Sequence, residues 1–126
     1  MKKVIETTEA PAPIGPYNQA ILVDKTLYAS GQIALDPKTM ELVNEDIQAE
    51  TTQVMKNLSA VLKAAGMDFT NVVKATIYLA DMVDFALVNE IYGGYFNDDY
   101  APARETVQVA QLPKNVRLEI SVIAIL

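Results

Sequence analysis

An alternating apolar pattern ends this chain and limits the folds available to it more than any other feature. Every second side chain from residue 116 is apolar, namely Val116, Leu118, Ile120, Val122 and Ala124. A period of two is typical of a β-strand with one face against a core. The other face is polar at Arg117, Glu119 and Ser121 but apolar at Ile123 and Ile125. Since a monomer would leave those two isoleucines uncovered, the pattern indicates a sheet whose second face meets a partner subunit.

Two other segments have the spacing of amphipathic helices. In residues 47–65 apolar or small side chains recur every three or four positions, and Gly66 supplies a C-terminal stop. A second helix is predicted over residues 84–97, with a stripe made of Phe85, Val88, Tyr92, Tyr95 and Phe96. Gly93 and Gly94 interrupt it, which suggests close packing on a flat surface.

Strand patterns surround these helices. Residues 72–79 are rich in β-branched side chains, while residues 20–23 and 26–30 flank Asp24-Lys25, a pair typical of a hairpin turn. The order of elements is strand, hairpin, helix, strand, helix, strand, strand. This order predicts a single domain of the α+β class, with two helices on one face of a mixed six-stranded sheet.

Composition excludes several classes of function. The chain has no cysteine and no histidine, which excludes disulfides, thiolate nucleophiles, Ser-His-Asp catalysis and metal sites built on those ligands. Proton chemistry must therefore use carboxylates, tyrosines, lysines, backbone groups or water. A net charge of −6 argues against nucleic acid as the main partner. Since no apolar run suits a membrane span or a secretory signal, a cytoplasmic protein is predicted.

One of the only two arginines, Arg104, lies between a proline turn and a strand-like run. If the last two strands pair as a hairpin around residues 112–115, Arg104 and Glu119 border one cavity. A guanidinium there would hold a small carboxylate through two hydrogen bonds, because its planar fork matches carboxylate geometry. A structural salt bridge between Arg104 and Glu119 fits the sequence equally well.

Four further residues have both a functional and a plain structural interpretation. Tyr17 follows a Gly-Pro pair that either holds its hydroxyl at a pocket edge or is a simple turn. Ser30 and Gly31 end a strand, where they could present polar groups to an anion or form an ordinary bulge. Asn89 is either a site residue or an amide at the edge of the core. No spacing typical of a metal site appears, and none is predicted.

Seven short motifs carry a resemblance to a known family. They are residues 12–17 (APIGPY), 30–33 (SGQI), 57–66 (NLSAVLKAAG), 73–76 (VKAT), 88–92 (VNEIY), 101–104 (APAR) and 118–120 (LEI). Each motif alone is weak, but their order and spacing extend over nearly the whole chain. In this pattern the chain resembles the Rid family, in particular its RidA-type reactive-intermediate deaminases.

The resemblance implies a chorismate-mutase-like fold and a homotrimer with active sites in the clefts between subunits. It also implies an activity, the hydrolysis of 2-imino acids and their enamine tautomers to 2-oxo acids and ammonia, with 2-iminobutanoate and 2-iminopropanoate as substrates. Pyridoxal-phosphate enzymes such as threonine dehydratase would release these substrates. The deaminase itself would need no cofactor.

The resemblance also implies roles for individual residues. Arg104 would clamp the substrate carboxylate, and Glu119 would position or activate the attacking water. The pocket would be lined by Tyr17, Ser30, Gly31, Asn89 and Thr106. Relatives often have cysteine at position 106. The backbone groups of residue 106 would face the substrate whichever side chain it has.

Two residues depart from the family pattern. Glu105 follows the arginine where a small or apolar residue is usual, and it would compete with the substrate if it bent back toward Arg104. Strand alternation should instead point Glu105 to the opposite face of the sheet. Met40 occupies a turn position where relatives often have glycine.

Two other functions remain open on the sequence. A non-catalytic trimer that senses 2-oxo acids would keep Arg104 while tolerating the loss of Glu119, so the presence of Glu119 favours the enzyme. An endoribonuclease or translation inhibitor is the third hypothesis. The negative charge and the missing histidines count against it.

Overall fold

A six-stranded sheet with two helices on one face forms the fold, in a computed structural model that describes residues 1–126. The strands are β1 (Lys2–Ile5), β2 (Ala20–Val23), β3 (Thr26–Gln32), β4 (Val72–Leu79), β5 (Ala103–Gln108) and β6 (Leu118–Ile125), and the helices are α1 (Ile47–Ala64) and α2 (Phe85–Gly93). Their order in the sheet is β1-β2-β3-β6-β4-β5, and only β4 and β5 run parallel. The predicted α+β class and mixed six-stranded sheet are confirmed.

The central position of β6, between β3 and β4, explains its alternating pattern. Its side chains at Leu118, Ile120, Val122 and Ala124 are buried in the core formed with both helices. The side of the sheet away from the helices is here called the open face. It carries side chains that include Tyr28, Thr76, Tyr78, Glu119, Ile123 and Ile125. Tyr28 is 52% exposed and Ile125 is 43% exposed, so the single chain does leave apolar surface uncovered there.

The predicted hairpin between the last two strands is wrong. β5 pairs in parallel with β4, with Arg104 opposite Ala75, and β6 pairs with the other edge of β4, with Val122 opposite Ala75. Parallel neighbours need a crossover connection, and α2 supplies it in a β4-α2-β5 unit. β4 therefore separates β5 from β6, and β5 lies at an edge of the sheet.

The two helices differ in how well their ends were predicted. α1 begins after the N-cap Asp46, whose side chain accepts the N–H of Ala49, and it ends before Gly66, which has a φ of 74°. α2 ends at Gly93, well before residue 97. Outside the backbone of the helix itself, no heavy atom lies within 4 Å of a Cβ placed on Gly93, and a Cβ on Gly94 meets only the carbonyl of Ile91 at 3.4 Å. The close packing predicted for the glycine pair is therefore wrong within the single chain. Neither helix is long and apolar enough to cross a membrane.

Met40 lies in a turn with left-handed backbone, with a φ of 60°. Its N–H donates to the carbonyl of Asp36 at 2.7 Å and closes the turn. A side chain at such a position costs about 1 kcal/mol relative to glycine, because Cβ crowds the backbone. The departure at residue 40 therefore lies where the backbone conformation itself favours glycine.

A buried ion pair holds the start of β6. The Glu50 carboxylate, on a residue only 1% exposed, accepts the backbone N–H of Arg117 at 2.8 Å and its Nε at 2.7 Å. A further Arg117 nitrogen, Nη2, donates to the carbonyl of Asn44 at 3.0 Å. Helix α1 is thereby tied to the chain two residues before Glu119.

Arg117→Ala is expected to lower the free energy of unfolding by about 3 kcal/mol, because it leaves a buried carboxylate with one donor fewer. Urea unfolding at one fixed protein concentration measures the loss. Lys63→Ala is the control, since it removes an exposed cation in the last turn of α1 that forms no ion pair. Its cost should stay below about 1 kcal/mol. Equal losses in the two variants would contradict the structural importance of the Glu50 pair.

Candidate functional site

The predicted site residues lie in two separate pockets. The first, called the Glu119 pocket, has a volume of about 360 Å³ and contains four of them. Its walls are part polar and part apolar, and its lining residues include Tyr17, Ser30, Gly31, Glu119, Gln19, Gln32, Ile14 and Ile33. The second, of about 430 Å³, is called the Arg104 pocket and contains Arg104 and Asn89. Thr106 lines neither pocket, and no three potential ligand side chains come together as a metal site.

Arg104 and Glu119 do not border one cavity within a single chain, contrary to the prediction made from the hairpin. Arg104 lies in register with Ala75 and Val122, whereas Glu119 lies opposite Tyr78, three residues further along the strands. An odd offset places the two side chains on opposite faces of the sheet. With strands about 4.8 Å apart and a rise of about 3.3 Å per residue, their Cα atoms are about 14 Å apart.

Local hydrogen bonds shape the Glu119 pocket. Ser30 is tied to the neighbouring loop twice, since its Oγ donates to the carbonyl of Asn18 at 2.6 Å and its N–H to that of Gln19 at 2.9 Å. The Tyr17 hydroxyl accepts a long hydrogen bond, 3.5 Å, from the N–H of Ile14. The proton of Tyr17 therefore stays available for a ligand, whereas that of Ser30 is already used.

The carboxyl group of Glu119 lines this pocket and is partly buried in it. Burial raises the pKa of Glu119 above its ordinary value, and no hydrogen bond or nearby charge lowers it. A carboxylate with a raised pKa is a stronger base than an exposed one. Glu119 is therefore suited to accept a proton from a water molecule in the pocket.

The guanidinium of Arg104 is held in place by three side chains of α2. Its Nη1 donates to Oδ1 of Asn89 at 2.6 Å. Its Cζ lies 5.7 Å from the ring centroid of Phe85 and 5.1 Å from that of Tyr92. Such cation–π contacts orient the planar group while its other N–H groups remain available to an anion. The arrangement suits recognition of a small carboxylate.

Two buried hydroxyls on the Arg104 side of the sheet have no hydrogen-bond partner. They are the hydroxyl of Tyr92 and Oγ1 of Thr106. Burial raises the pKa of the Tyr92 hydroxyl, and the charge of Arg104 opposes that shift. Thr106 follows Arg104 by two residues and therefore faces the same side of the sheet.

Glu105 points away from Arg104, as strand alternation predicts. Oε2 of Glu105 accepts a hydrogen bond from Oγ1 of Thr76 at 2.5 Å, and Oε1 lies 3.0 Å from Nζ of Lys74. Both contacts are on the open face, and the hydrogen bond from Thr76, followed by that from Lys74, lowers the pKa of Glu105. Glu105 therefore does not compete with an anion at Arg104.

The two aromatic side chains that hold Arg104 were not predicted as site residues. Phe85 and Tyr92 were assigned to the apolar stripe of a helix, and Asn89 was considered separately from them. The three residues follow one another at spacings of four and three, which places them on one helical face. A polar residue between two aromatic ones on that face was the available signal that the stripe does more than pack.

Comparisons with known proteins cover nearly the whole chain. A family model described as Endoribonuclease L-PSP matches residues 7–126. Human 2-iminobutanoate/2-iminopropanoate deaminase is 54% identical over 125 residues, which is 99% of this chain and 90% of that protein. The solved structure of YyfA, a Rid protein from Yersinia pestis, has a TM-score of 0.96 at 48% identity and covers 100% of both chains. Escherichia coli TdcF with bound serine has a TM-score of 0.92 at 41% identity, with 98% of each chain covered.

Proposed function

This chain belongs to the Rid family, and we propose that it hydrolyses 2-imino acids to 2-oxo acids and ammonia. The observation that carries the proposal is the 54% identity, over nearly the full length, to a human protein named for this activity on 2-iminobutanoate and 2-iminopropanoate. These two imines are the proposed substrates. Pyridoxal-phosphate enzymes that eliminate water from amino acids are the proposed source of such imines.

The Arg104 guanidinium is the proposed clamp for the substrate carboxylate. Asn89, Phe85 and Tyr92 already orient it, so little side-chain freedom is lost when an anion binds. Escherichia coli TdcF, a structural relative solved with bound serine, binds a ligand that carries an α-carboxylate like that of the proposed substrates. Each charge-assisted hydrogen bond from the guanidinium would contribute about 1.5–3 kcal/mol in a site that excludes water.

Glu119 is the proposed base for the attacking water. The water oxygen bonds to C2 of the imine as Glu119 takes a proton from the water, and Glu119 passes that proton to the imine nitrogen, which gives a carbinolamine. Glu119 then takes the proton of the hydroxyl and passes it to the same nitrogen, so that the carbonyl forms, the C–N bond breaks, neutral ammonia leaves the 2-oxo acid, and Glu119 is ionised again. Because imines already react with water, alignment of the imine and an ordered water beside a base accounts for much of the catalysis. Water is the only co-reactant, so no cofactor enters the proposal.

The two pockets must meet for this chemistry, and we propose that they meet between subunits of a homotrimer. Arg104 lies on the edge strand β5, whereas Glu119 lies on the open face of the sheet. If the β5 edge of one copy docks on the open face of the next, each contact joins two different surfaces, and such contacts can close into a ring. The exposed apolar side chains of the open face would be buried by the same contact.

The decisive test of the activity is a coupled assay. Threonine dehydratase generates 2-iminobutanoate, semicarbazide traps the remaining imine, and the release of 2-oxobutanoate is measured with and without this protein. The protein should raise 2-oxobutanoate release and lower semicarbazone formation in proportion to its concentration. A protein that binds 2-oxobutanoate but leaves both rates unchanged would be the non-catalytic sensor instead.

Mixing two inactive variants tests the shared site. Arg104→Ala keeps an intact Glu119 pocket, and Glu119→Ala keeps an intact Arg104 pocket. After joint unfolding and refolding of equal amounts, random assembly should restore about a quarter of the wild-type sites, because one interface in four then combines the two intact pockets. The two variants mixed without unfolding are the control. No recovery in a correctly assembled mixture would show that the site is not shared between subunits.

An endoribonuclease activity, after which the family model is named, has less support in this chain. The net charge is −6, and the only two arginines are Arg104 and Arg117, the second of which is paired with Glu50. Binding to a phosphate backbone usually depends on clustered positive charge.

A further inference from the structure

A β-bulge in β3 lies beside Glu119. Ala29 lies opposite Val122 and Gln32 opposite Ile120, so Ser30 and Gly31 together face the single residue Ser121. Glu119 is two residues from Ser121 and projects to the same face. Bulges of this kind change the direction of side chains at functional sites.

The glycine in this bulge is not required by its backbone angles. Gly66 is the one glycine of the chain with a positive φ, so an alanine could adopt the φ of Gly31. An alanine at residue 31 is excluded instead by the lack of space for its Cβ. A Cβ built on Gly31 would overlap Oε2 of Glu119 and would lie 2.7 Å from its Cδ and 2.9 Å from its Cγ. All three of the nearest atoms belong to Glu119.

We propose that Gly31 is a positioning residue for Glu119, because the missing Cβ leaves the space in which the Glu119 carboxylate rests against the backbone of β3. This inference rests on the proposed function of Glu119 as the base. The two hydrogen bonds of Ser30 to Asn18 and Gln19 hold the bulge from the other side, so its backbone has little room to retreat. A side chain at residue 31 therefore displaces the carboxylate rather than the strand.

Gly31→Ala should lower the activity of the protein without lowering its stability. The far end of a glutamate side chain is flexible, so Gly31→Ala should turn Glu119 toward solvent at little cost to the fold. The melting temperature of Gly31→Ala should stay within about 3 °C of wild type, as for a substitution that strains no backbone. Its kcat for imine hydrolysis should fall about 100-fold, because the base no longer reaches the water.

The closing experiment follows the titration of the Glu119 carboxyl carbon by NMR, in the wild type and in Gly31→Ala. The wild-type carboxyl should titrate above the ordinary range of glutamate, because burial raises its pKa. In Gly31→Ala the pKa should fall toward the ordinary value. Gly94→Ala is the matched control, because its added methyl lies outside both pockets and makes only a 3.4 Å contact with the carbonyl of Ile91. Neither its titration nor its activity should change.

An unchanged Glu119 titration in Gly31→Ala overturns the inference, as does a changed titration with full activity. If the wild type does not hydrolyse imines but the titration of Glu119 changes in Gly31→Ala, the proposed function is refuted while the contact between Gly31 and Glu119 is supported. If Gly31→Ala does not fold, the double variant Gly31→Ala, Glu119→Ala decides. Folding of the double variant supports the clash with Glu119, and failure of both shows that the Cβ meets something else.

Discussion

Replacement of Arg104 by lysine is expected to remove most of the imine hydrolysis, with a fall of about 100-fold in kcat/KM. A guanidinium presents two parallel N–H donors to a carboxylate, whereas an ammonium is a point charge that cannot reproduce this fork. Lysine also cannot keep the planar contacts with Phe85 and Tyr92 or the geometry of the hydrogen bond to Asn89. Because the carboxylate is held in both the ground state and the transition state, much of the loss should appear as a higher KM.

Steady-state kinetics in the coupled assay measure this loss, and calorimetric titration with 2-oxobutanoate measures the matching loss of carboxylate affinity. The melting temperature should stay near that of wild type, because the guanidinium is exposed in the single chain. Near-normal turnover by Arg104→Lys would refute the clamp. If Arg104→Lys is unfolded, its loss of affinity for 2-oxobutanoate does not test the clamp. Arg104→Gln, which keeps a planar donor without the charge, is therefore measured beside it. This second variant should lose at least as much affinity for 2-oxobutanoate as Arg104→Lys does.

Glu119→Gln is expected to lower kcat about 1000-fold while KM changes little, within the range that a positioned base contributes. Glutamine has nearly the shape of glutamate but cannot take a proton from water. Carboxylate binding at Arg104 should remain, because Asn89, Phe85 and Tyr92 hold the guanidinium and none of these contacts involves Glu119. Affinity for 2-oxobutanoate therefore serves as the internal control for folding and assembly.

The pH dependence of kcat/KM should identify Glu119 as the base. Burial raises the pKa of Glu119, so its carboxyl is protonated at a pH at which an exposed glutamate is already ionised. Only the ionised form can accept a proton, so kcat/KM should fall tenfold per pH unit below this raised pKa and level off above it. After subtraction of the uncatalysed rate, this acidic limb should be absent in Glu119→Gln. Persistence of the limb in that variant would assign it to another group.

Local sequence patterns predicted much of the fold because they depend on neighbouring residues alone. The helical period and Gly66 predicted α1, and the Asp24-Lys25 pair predicted the β2–β3 hairpin. The end of α2 was harder to predict. Its apolar stripe continues to Phe96, which still packs near the core after the helix has ended. Apolar spacing reports burial, and buried residues need not be helical.

Strand pairing was the main error. An alternating pattern indicates which side chains share a face, but it does not identify the neighbouring strand. Two consecutive strands with a short connection suggested a hairpin, whereas β5 pairs with β4 through the crossover by α2. The candidate site depended on that pairing, so the direct meeting of Arg104 with Glu119 in one chain was also wrong.

The direction of Glu105 could be predicted from its position in the chain alone, because the two-residue period of an extended backbone places successive side chains on opposite faces whatever the strand pairs with. The apolar residues on both faces of β6 were predictable in the same way. The separation of Arg104 from Glu119 by β4, and the contact of Gly31 with the Glu119 carboxylate, became visible only in the folded chain. Those relations join residues far apart in the chain, and they follow from strand order and a bulge, which no local period specifies.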